Sequence, residues 1–258
     1  MPLPTLTTIP LRNAALLACA LVPIGYAAPA YIGPTLRLSA GRETVVIDSH
    51  GEVNIAYCGN GDSAPIHTTG DPEVGPGFWI TNNDGIRGDY FLYENSRDER
   101  PWKYITIDDG ARRFVQVCAT WEGHIVRGTA AVNLDGKVHN LGTWAVSSVD
   151  PKGVIWGGLS FLQGSDGGGA VRSTDGSGQQ RGCTVDVLSG APDSALATKG
   201  SGAKVLDKVV GEGASVTAEI WMVEKCNMDD VYMQERGPNP VIKSDNGRFE
   251  WVFSQGRF

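Results

Sequence analysis

The sequence lacks the short motifs that mark most nucleotide-binding and hydrolytic sites. A phosphate-binding loop requires G-x-x-x-x-G-K-[ST], and no lysine follows the glycines in the stretch "QGSDGGGAVRSTDGSGQQRGC", residues 163–183. The G-x-S-x-G pattern that presents a nucleophilic serine in α/β-hydrolases is also missing. These absences exclude both classes of enzyme, and the sequence alone identifies no catalytic residue.

Basic residues are too few to balance the acids. The chain has 22 Lys and Arg against 29 Asp and Glu, which gives a formal net charge of −7 at pH 7. Nucleic acids and anionic membranes select basic surfaces, so neither is an expected partner. Asn-x-Ser/Thr sites are absent as well, and enzymatic N-glycosylation is therefore not expected.

Long apolar segments are absent apart from one short run near the start. Residues 13–28, "NAALLACALVPIGYAA", follow Arg12, contain no acid and end in small residues, which is typical of a secretory leader. The pattern predicts a signal peptide over residues 1–27, with cleavage between 27 and 30. A retained anchor is the alternative, but the run is short for a spanning helix. We therefore expect a secreted, extracellular protein whose mature chain has no membrane span.

Cysteines are few, and their spacing is not that of a metal site. Four cysteines remain when Cys19 leaves with the leader, and they can pair in three ways. Closure of the shortest loops favours Cys58–Cys118 with Cys183–Cys226. An even number in a secreted chain indicates two disulfides. A zinc site would need C-x-x-C or clustered Cys and His, which the sequence lacks. No metal and no cofactor is expected.

Helix signals are scarce, whereas strand-like runs joined by turn dipeptides recur. Asp-Gly and Asn-Gly favour two-residue hairpin turns because both central positions need positive φ. Such dipeptides lie between candidate strands at Asp84-Gly85, Asp109-Gly110, Asp135-Gly136 and Asn246-Gly247. The predicted registers place Trp79 opposite Tyr90, Phe78 opposite Phe91, Ile105 opposite Phe114, Val132 opposite His139, Val126 opposite Ala145, Arg127 opposite Trp144 and Ile242 opposite Trp251.

Further segments add strands to this pattern. The predicted strands are "ETVVID", "EVNIAYC", "GVIWGGLSFL", "CTVDVL" and "ASVTAEIWMVEK", and the only short helical patterns are "AKVLDKVV" and "MDDVYMQER". A chain of this length without repeats or linkers can bury one sizeable core. The fold prediction is a single all-β domain over residues 31–258, an antiparallel sandwich or barrel built from hairpins, with one or two short helices.

The glycine-rich stretch 163–183 is either a binding loop or a plain connection. It lacks the alternating acids of a calcium loop, and glycine loses much backbone entropy when it is ordered. The interpretation is a mobile surface loop between a strand that ends near Leu162 and a strand that begins at Cys183, with residues 164–182 as the most mobile internal segment. A loop that becomes ordered over a ligand is the alternative.

The histidines form no evident site. Glu122 and His124 would share one face of a strand, but His139 lies too far along the predicted hairpin to join them. The interpretation for His50, His67, His124 and His139 is a structural or surface role.

Aromatic residues are the richest remaining signal, and they concentrate in residues 77–104. In the predicted hairpin Trp79 and Tyr90 share one face, where exposed aromatics could stack on sugars or anchor an interface. Arg87 and Asp89 lie beside them, and Trp102 follows in the next loop. The predicted ligand-binding residues are therefore Trp79, Tyr90, Arg87, Asp89 and Trp102, with burial in the core as the alternative for the aromatic side chains.

The function expected from these features is binding of a glycan, a small-molecule ligand or a protein partner outside the cell. The alternative is a secreted polysaccharide hydrolase, since a glycosidase needs only two carboxylates roughly 5 to 10 Å apart without a local spacing rule. Taken singly, each available acid is better interpreted as a solvated surface residue; the set is Asp89, Glu94, Asp98, Glu99, Asp108, Glu122, Glu219 and Glu250.

Overall fold

Two large sheets packed face to face form the body of the protein. The structure, a computed structural model, describes residues 38–40, 43–47, 53–54, 58, 64–95 and 97–258. The predicted leader, its cleavage sites and His50 lie outside the described residues. The described chain is an all-β sandwich, dominated by antiparallel pairs and carrying few short helices, as the turn and strand patterns predict.

The larger sheet has seven strands, numbered along the chain. One edge strand, Ile66–Thr68, runs parallel to its neighbour, and the other pairs are antiparallel. In spatial order the strands are β16 (Ile242–Ser244), β11 (Ile155–Ser160), β10 (Trp144–Val149), β9 (Glu122–Gly128), β6 (Gly88–Glu94), β7 (Lys103–Ile107) and β4 (Ile66–Thr68).

The second sheet has five strands, and its centre is a parallel pair of strands that are far apart in sequence. In spatial order its strands are β13 (Gln180–Cys183), β12 (Gly168–Ser173), β17 (Arg248–Ser254), β5 (Gly77–Asn83) and β8 (Arg112–Gln116). Strands β5 and β17 run parallel, with Trp79 beside Glu250 and Ile80 beside Trp251. The C-terminal strand therefore completes the centre of this sheet.

The remaining elements are short. A separate small sheet contains the predicted antiparallel pair that joins "ETVVID" to "EVNIAYC", with Ile47 opposite Val53. A two-stranded sheet and a short 3-10 turn, Asp193–Ala195, lie later in the chain. The bounds are β1 (Leu38–Ala40), β2 (Glu43–Ile47), β3 (Val53–Asn54), β14 (Leu196–Thr198), β15 (Lys204–Leu206), α1 (Ala130–Asn133) and α2 (Val216–Lys225).

The main core lies between the two large sheets, because alternate side chains of each strand point inward. Both sheets contribute aromatic rings, and Phe78 contacts Trp121 and Trp251 edge-on, with ring centroids 5.8 and 6.4 Å apart. A second apolar cluster packs under α2, where Met222 is fully buried. Burial of these rings and aliphatic chains is the main force that holds the sheets together.

Two disulfides join distant parts of the chain, and they are the pairs that shortest-loop closure favours. Cys58 is bonded to Cys118 across 60 residues, and Cys183 to Cys226 across 43. Each bond restricts the unfolded chain more than the folded one. Cys183–Cys226 connects the end of β13 to the end of α2, so it fastens the helix to the five-stranded sheet.

Three of the four predicted hairpins are wrong, although each dipeptide does form a turn. The turn glycines Gly85, Gly110 and Gly247 all have positive φ. The strands on either side of each turn nevertheless belong to different sheets: β5 and β6, β7 and β8, and β16 and β17. The predicted pairs Trp79 with Tyr90, Phe78 with Phe91, Ile105 with Phe114 and Ile242 with Trp251 are therefore not formed. These turns are corners of the sandwich, because burying apolar faces from both sheets outweighs pairing with the next strand.

The fourth predicted hairpin is right about the strands and wrong by one residue in register. Strands β9 and β10 pair antiparallel with Ile125 opposite Ala145, whereas the prediction places Val126 there. The predicted pair of Arg127 with Trp144 fails for the same reason, whereas the pair of Val132 with His139 fails because Val132 is not in a strand. Residues 130–133 form α1 instead of extending the strand, so the connection is longer than a two-residue turn.

Several element assignments are also corrected. The predicted strand "ASVTAEIWMVEK" is helix α2, whose first turn is capped by the Ser215 hydroxyl accepting from the amide of Ala218. Its β-branched residues favour a strand, but Ala218 and Met222 bury one face at helical spacing. Conversely, "AKVLDKVV" contains strand β15, "MDDVYMQER" is a series of turns, and "CTVDVL" follows the end of β13.

The glycine-rich stretch is not a plain surface loop. It contains β12 and β13, and β12 lies beside the central strand β17. Gly182 has φ of 144°, and a Cβ there would lie 2.4 Å from the Cα of Ala170 on β12. The glycines thus permit close packing of the strands. The entropy argument for a mobile loop did not take this packing into account.

Candidate functional site

The structure separates the five residues predicted to bind ligand. Arg87 and Asp89 lie at the start of β6 on the seven-stranded sheet, whereas Trp79 lies on the five-stranded sheet. Tyr90 is fully buried in the main core. Trp102 is half-buried, with its ring 6.0 Å from that of Trp121. The shared face of Trp79 and Tyr90 does not exist, because the strands that carry them do not pair.

Arg87 and Asp89 line a shallow depression of about 390 Å³ on the seven-stranded sheet. Thr106, Thr129 and Phe258 are among its other lining residues, and we call it the Asp89 depression. Its volume is within the range of small-ligand sites, roughly 300 to 1,000 Å³. Of the described residues that line it, Asp89 is the only acid.

Close packing at Gly88 brings the C-terminal ring into the depression. A Cβ at residue 88 would lie 2.0 Å from Cζ of Phe258, so only glycine admits the ring there. The Phe258 ring also contacts Tyr90 edge-on, with centroids 5.9 Å apart. The position of Phe258 depends on this tertiary contact, and no local pattern in the sequence predicts it.

Asp89 is held by a chain of polar side chains across three strands. The Thr106 hydroxyl donates to Oδ1 of Asp89 at 2.6 Å, and Nε2 of His67 lies 3.2 Å from the same hydroxyl oxygen. Because the Thr106 hydroxyl donates its one proton to Asp89, it can only accept a hydrogen bond from His67. This contact therefore requires the His67 tautomer that carries hydrogen on Nε2. Oδ2 of Asp89 accepts no hydrogen bond from the described residues, so it is available to a ligand. The alternation of inward and outward side chains along "KYITI" is the sequence signal that could have identified Thr106 as a neighbour of Asp89.

Arg87 is free to move towards a ligand. Its Nε lies 3.5 Å from Oδ1 of Asp108, and both side chains are about 70 % exposed, at 70 % and 72 %. Exposed ion pairs of this kind contribute only about 0 to 1 kcal/mol. A ligand oxyanion or hydroxyl in the depression could therefore recruit the guanidinium at small cost.

A charge network that is buried except for part of Lys199 lies next to Gly128, one of the residues that line the Asp89 depression. Arg127 donates from Nε and Nη2 to the two oxygens of Asp84, at 2.9 and 3.0 Å, and from Nη1 to Asp166 at 2.8 Å. Lys199 donates to the other oxygen of Asp166 at 2.7 Å, and the Tyr90 hydroxyl donates to Asp84 at 2.7 Å. Two cations thus neutralise two carboxylates inside the protein.

This network fixes protonation states rather than performing acid-base chemistry. Burial alone would raise the pKa of Asp166, but the charges of Lys199 and Arg127 hold it below its usual value. Burial and the neighbouring charge of Asp84 raise the pKa of the Tyr90 hydroxyl. Asp84 and Asp166 have no exposed side-chain surface. A polysaccharide could not reach this pair of carboxylates.

The outer face of the five-stranded sheet carries a second group of polar and aromatic side chains. The guanidinium carbon of Arg112 lies 3.9 Å from the centre of the Trp79 ring. Glu250 accepts hydrogen bonds from Arg112 Nε and from the Thr81 hydroxyl, both at 3.0 Å. We call the surface formed by Trp79, Thr81, Arg112, Arg172 and Glu250 the Trp79 face.

An aromatic stack crosses the outer face of the seven-stranded sheet. His124 lies between Tyr93 and Trp144, with the His124 and Trp144 rings 3.7 Å apart and nearly parallel. His124 is 3 % exposed, and burial lowers its pKa to about 3. It is therefore neutral in the folded protein near neutral pH, which supports a structural role. His139 contacts Asp135 at 2.9 Å and joins neither His124 nor Glu122.

Metal ligands do not converge in the part of the chain that the structure describes, apart from one group. Cys58, Cys118 and Glu94 lie within 4.8 Å of one another, but the two sulfurs form a disulfide and cannot serve as thiolate ligands. Among the described residues, no helix combines the length and the apolar character that crossing a bilayer requires.

The comparisons with known proteins leave the structure as the basis for assignment. No protein-family model matches the chain, and no curated protein matches it in sequence. Fold and site together define a disulfide-bonded β-sandwich with a shallow polar depression on one sheet and an arginine-rich face on the other.

Proposed function

We propose that this protein is secreted and acts by binding, and that the Asp89 depression receives a small polar ligand such as one sugar unit of a glycan. The observation that carries the proposal is the convergence of one acceptor, one mobile donor and one aromatic ring on the depression. Asp89 Oδ2 accepts from a ligand hydroxyl, Arg87 donates to a ligand oxygen, and Phe258 contacts an apolar ring face.

Binding has more support than hydrolysis of a polysaccharide. Hydrolysis needs two carboxylates on either side of the scissile bond, whereas the described side chains that line the depression include one carboxylate, that of Asp89. The carboxylates that do lie close together, Asp84 and Asp166, are sealed from solvent and paired with cations.

Secretion is supported by the predicted leader and by the disulfides. Structural disulfides persist in oxidising compartments and are rare in the cytosol of mesophiles. Both bonds, Cys58–Cys118 and Cys183–Cys226, close long loops in a chain whose first residues have the pattern of a signal peptide.

Removal of the Asp89 carboxylate should weaken recognition in the depression. A glycan array identifies a binding sugar for the unchanged protein, and calorimetry with that sugar measures its affinity. We expect Asp89→Ala to weaken binding by about tenfold or more, because the ligand hydroxyl loses its charged acceptor.

The matched control is Glu224→Ala, which removes an exposed acid from α2 and should leave affinity unchanged. The melting temperature of both variants should stay close to that of the unchanged protein. An array without any binding sugar, or an Asp89→Ala protein that binds as well as the control, would refute the proposed site.

A further inference from the structure

The Trp79 face concentrates positive charge on an acidic protein. Arg112 and Arg172 both approach Glu250, at 3.0 Å to Oε1 and 3.7 Å to Oε2. Two guanidinium groups therefore share one carboxylate, and among the described residues no second acid pairs with either of them, which leaves one positive charge in excess. The formal net charge of the chain is −7, so this face differs in sign from the protein as a whole.

Both arginines keep donors that the described residues do not use. Within the described part of the chain Arg112 donates only from Nε, and the contact from Arg172 to Glu250 is too long for a hydrogen bond. Their side chains are 43 % and 48 % exposed. The planar N–H pairs of guanidinium groups match the two oxygens of a carboxylate or sulfate.

The surrounding side chains hold these groups in place. Glu250 is only 19 % exposed and is anchored by the Thr81 hydroxyl, so it orients Arg112 from one side. The Trp79 ring lies against the guanidinium of Arg112, and Phe114 contacts Trp79 edge-on at 5.3 Å. The half-buried Trp79 also offers part of its ring to a flat ligand next to the charges.

The sheet face favours a sugar chain over a peptide. Strands β5, β17 and β12 are paired on both sides, so their backbone groups are used within the sheet. Arg112 lies on edge strand β8, where Asp71 already accepts from the Gln116 amide and donates to the Phe114 carbonyl. A peptide that binds by adding a strand gains most of its affinity at a sheet edge, where backbone donors and acceptors are free. A glycan carries its own hydroxyl and acidic groups and needs only side chains on a face.

We infer that the Trp79 face is a second binding surface, for a polysaccharide that carries carboxylate or sulfate groups. Arg112 and Arg172 take the acidic group, and Trp79 contacts the sugar ring. This site lies on the opposite sheet from the Asp89 depression and does not depend on it.

The test compares polygalacturonate, dextran sulfate and neutral dextran as probes for the full protein in affinity gel electrophoresis. We expect retardation by polygalacturonate, by dextran sulfate or by both, none by dextran, and weaker retardation as salt rises. Comparison of polygalacturonate with dextran sulfate distinguishes recognition of carboxylate groups from recognition of sulfate groups. In the double variant Arg112→Gln/Arg172→Gln, the affinity obtained from the retardation should fall about tenfold or more. Adding Trp79→Ala to this variant should lower the affinity further.

The control is Arg181→Gln, which makes the same type of substitution but removes one positive charge where the double variant removes two; it lies on β13 of the same sheet, where Arg181 pairs with Asp230. It should retain binding, and Asp89→Ala should retain it too, which separates this inference from the proposed function. Equal losses in Arg181→Gln and the double variant would show unspecific attraction and overturn the inference. Stronger binding of poly-glutamate than of either acidic glycan would overturn the ligand class.

Discussion

Replacement of Arg127 by Met should lower the free energy of unfolding by about 3 to 5 kcal/mol. The guanidinium has no exposed surface and donates to Asp84, to Asp166 and to the carbonyl oxygens of Gly168 and Ser254. Methionine fills a similar volume but leaves the two carboxylates with only Lys199 as a cation. Urea unfolding followed by tryptophan fluorescence measures the loss.

A second variant separates charge imbalance from lost packing. Arg127→Met combined with Asp84→Asn removes one cation and one anion, so it should recover at least about 1 kcal/mol relative to the single variant. Arg181→Met, at an exposed arginine, should change stability by no more than about 0.5 kcal/mol. A loss below about 1 kcal/mol for Arg127→Met would mean that the network contributes little to the fold.

The stability of the protein should fall as the pH falls below about 6.5, and His124 should be responsible for much of the change. Its pKa is about 3 in the folded protein and 6.5 in the unfolded chain. Between these values the unfolded state binds a proton that the folded state cannot accept, so acid favours unfolding. One such group costs about 1.4 kcal/mol per pH unit, or about 2.5 kcal/mol between about pH 7 and about pH 4.5.

The variant His124→Phe keeps an aromatic ring between Tyr93 and Trp144 and removes the titration, so its stability should depend much less on pH in this window. Tyr93→Phe is the control, because it alters a stacking partner and loses the contact to Asn133 but retains the histidine. The buried Glu94, whose pKa burial raises, acts in the opposite direction but is common to all three proteins. Equal pH slopes for His124→Phe and the unchanged protein would exclude His124 as the source.

The candidate site was only partly predictable. Arg87 and Asp89 do line a depression, because both lie at the start of one strand and their polarity marks that end as solvent-facing. Phe258 and Thr129 come from distant parts of the chain, and their presence depends on how β9 and the C-terminus pack. The prediction that Tyr90 binds a ligand rests on a hairpin register that does not form, and the structure buries Tyr90 in the core, which is the alternative.

The sequence by itself determined the features that depend on local chemistry. Dipeptides with glycine set the turns at residues 85, 110, 136 and 247, where φ is positive in every case. The abundance of β-branched and aromatic residues between the turns determined the all-β class of the fold. The cysteine count indicated two disulfides, and chain separation favoured the pairing that forms.

Only the tertiary structure decided which strands pair and which side chains meet. A turn reverses the chain equally well within one sheet or between two, and the choice depends on apolar faces far apart in sequence, such as those of β5 and β17. The glycine-rich stretch illustrates the same point. The entropy lost when it becomes ordered is compensated by its packing against β17, which no local pattern in the sequence reveals. The sharing of Glu250 by Arg112 and Arg172 likewise arises only when β8, β5, β17 and β12 lie side by side, since sequence separation carries no information about that contact.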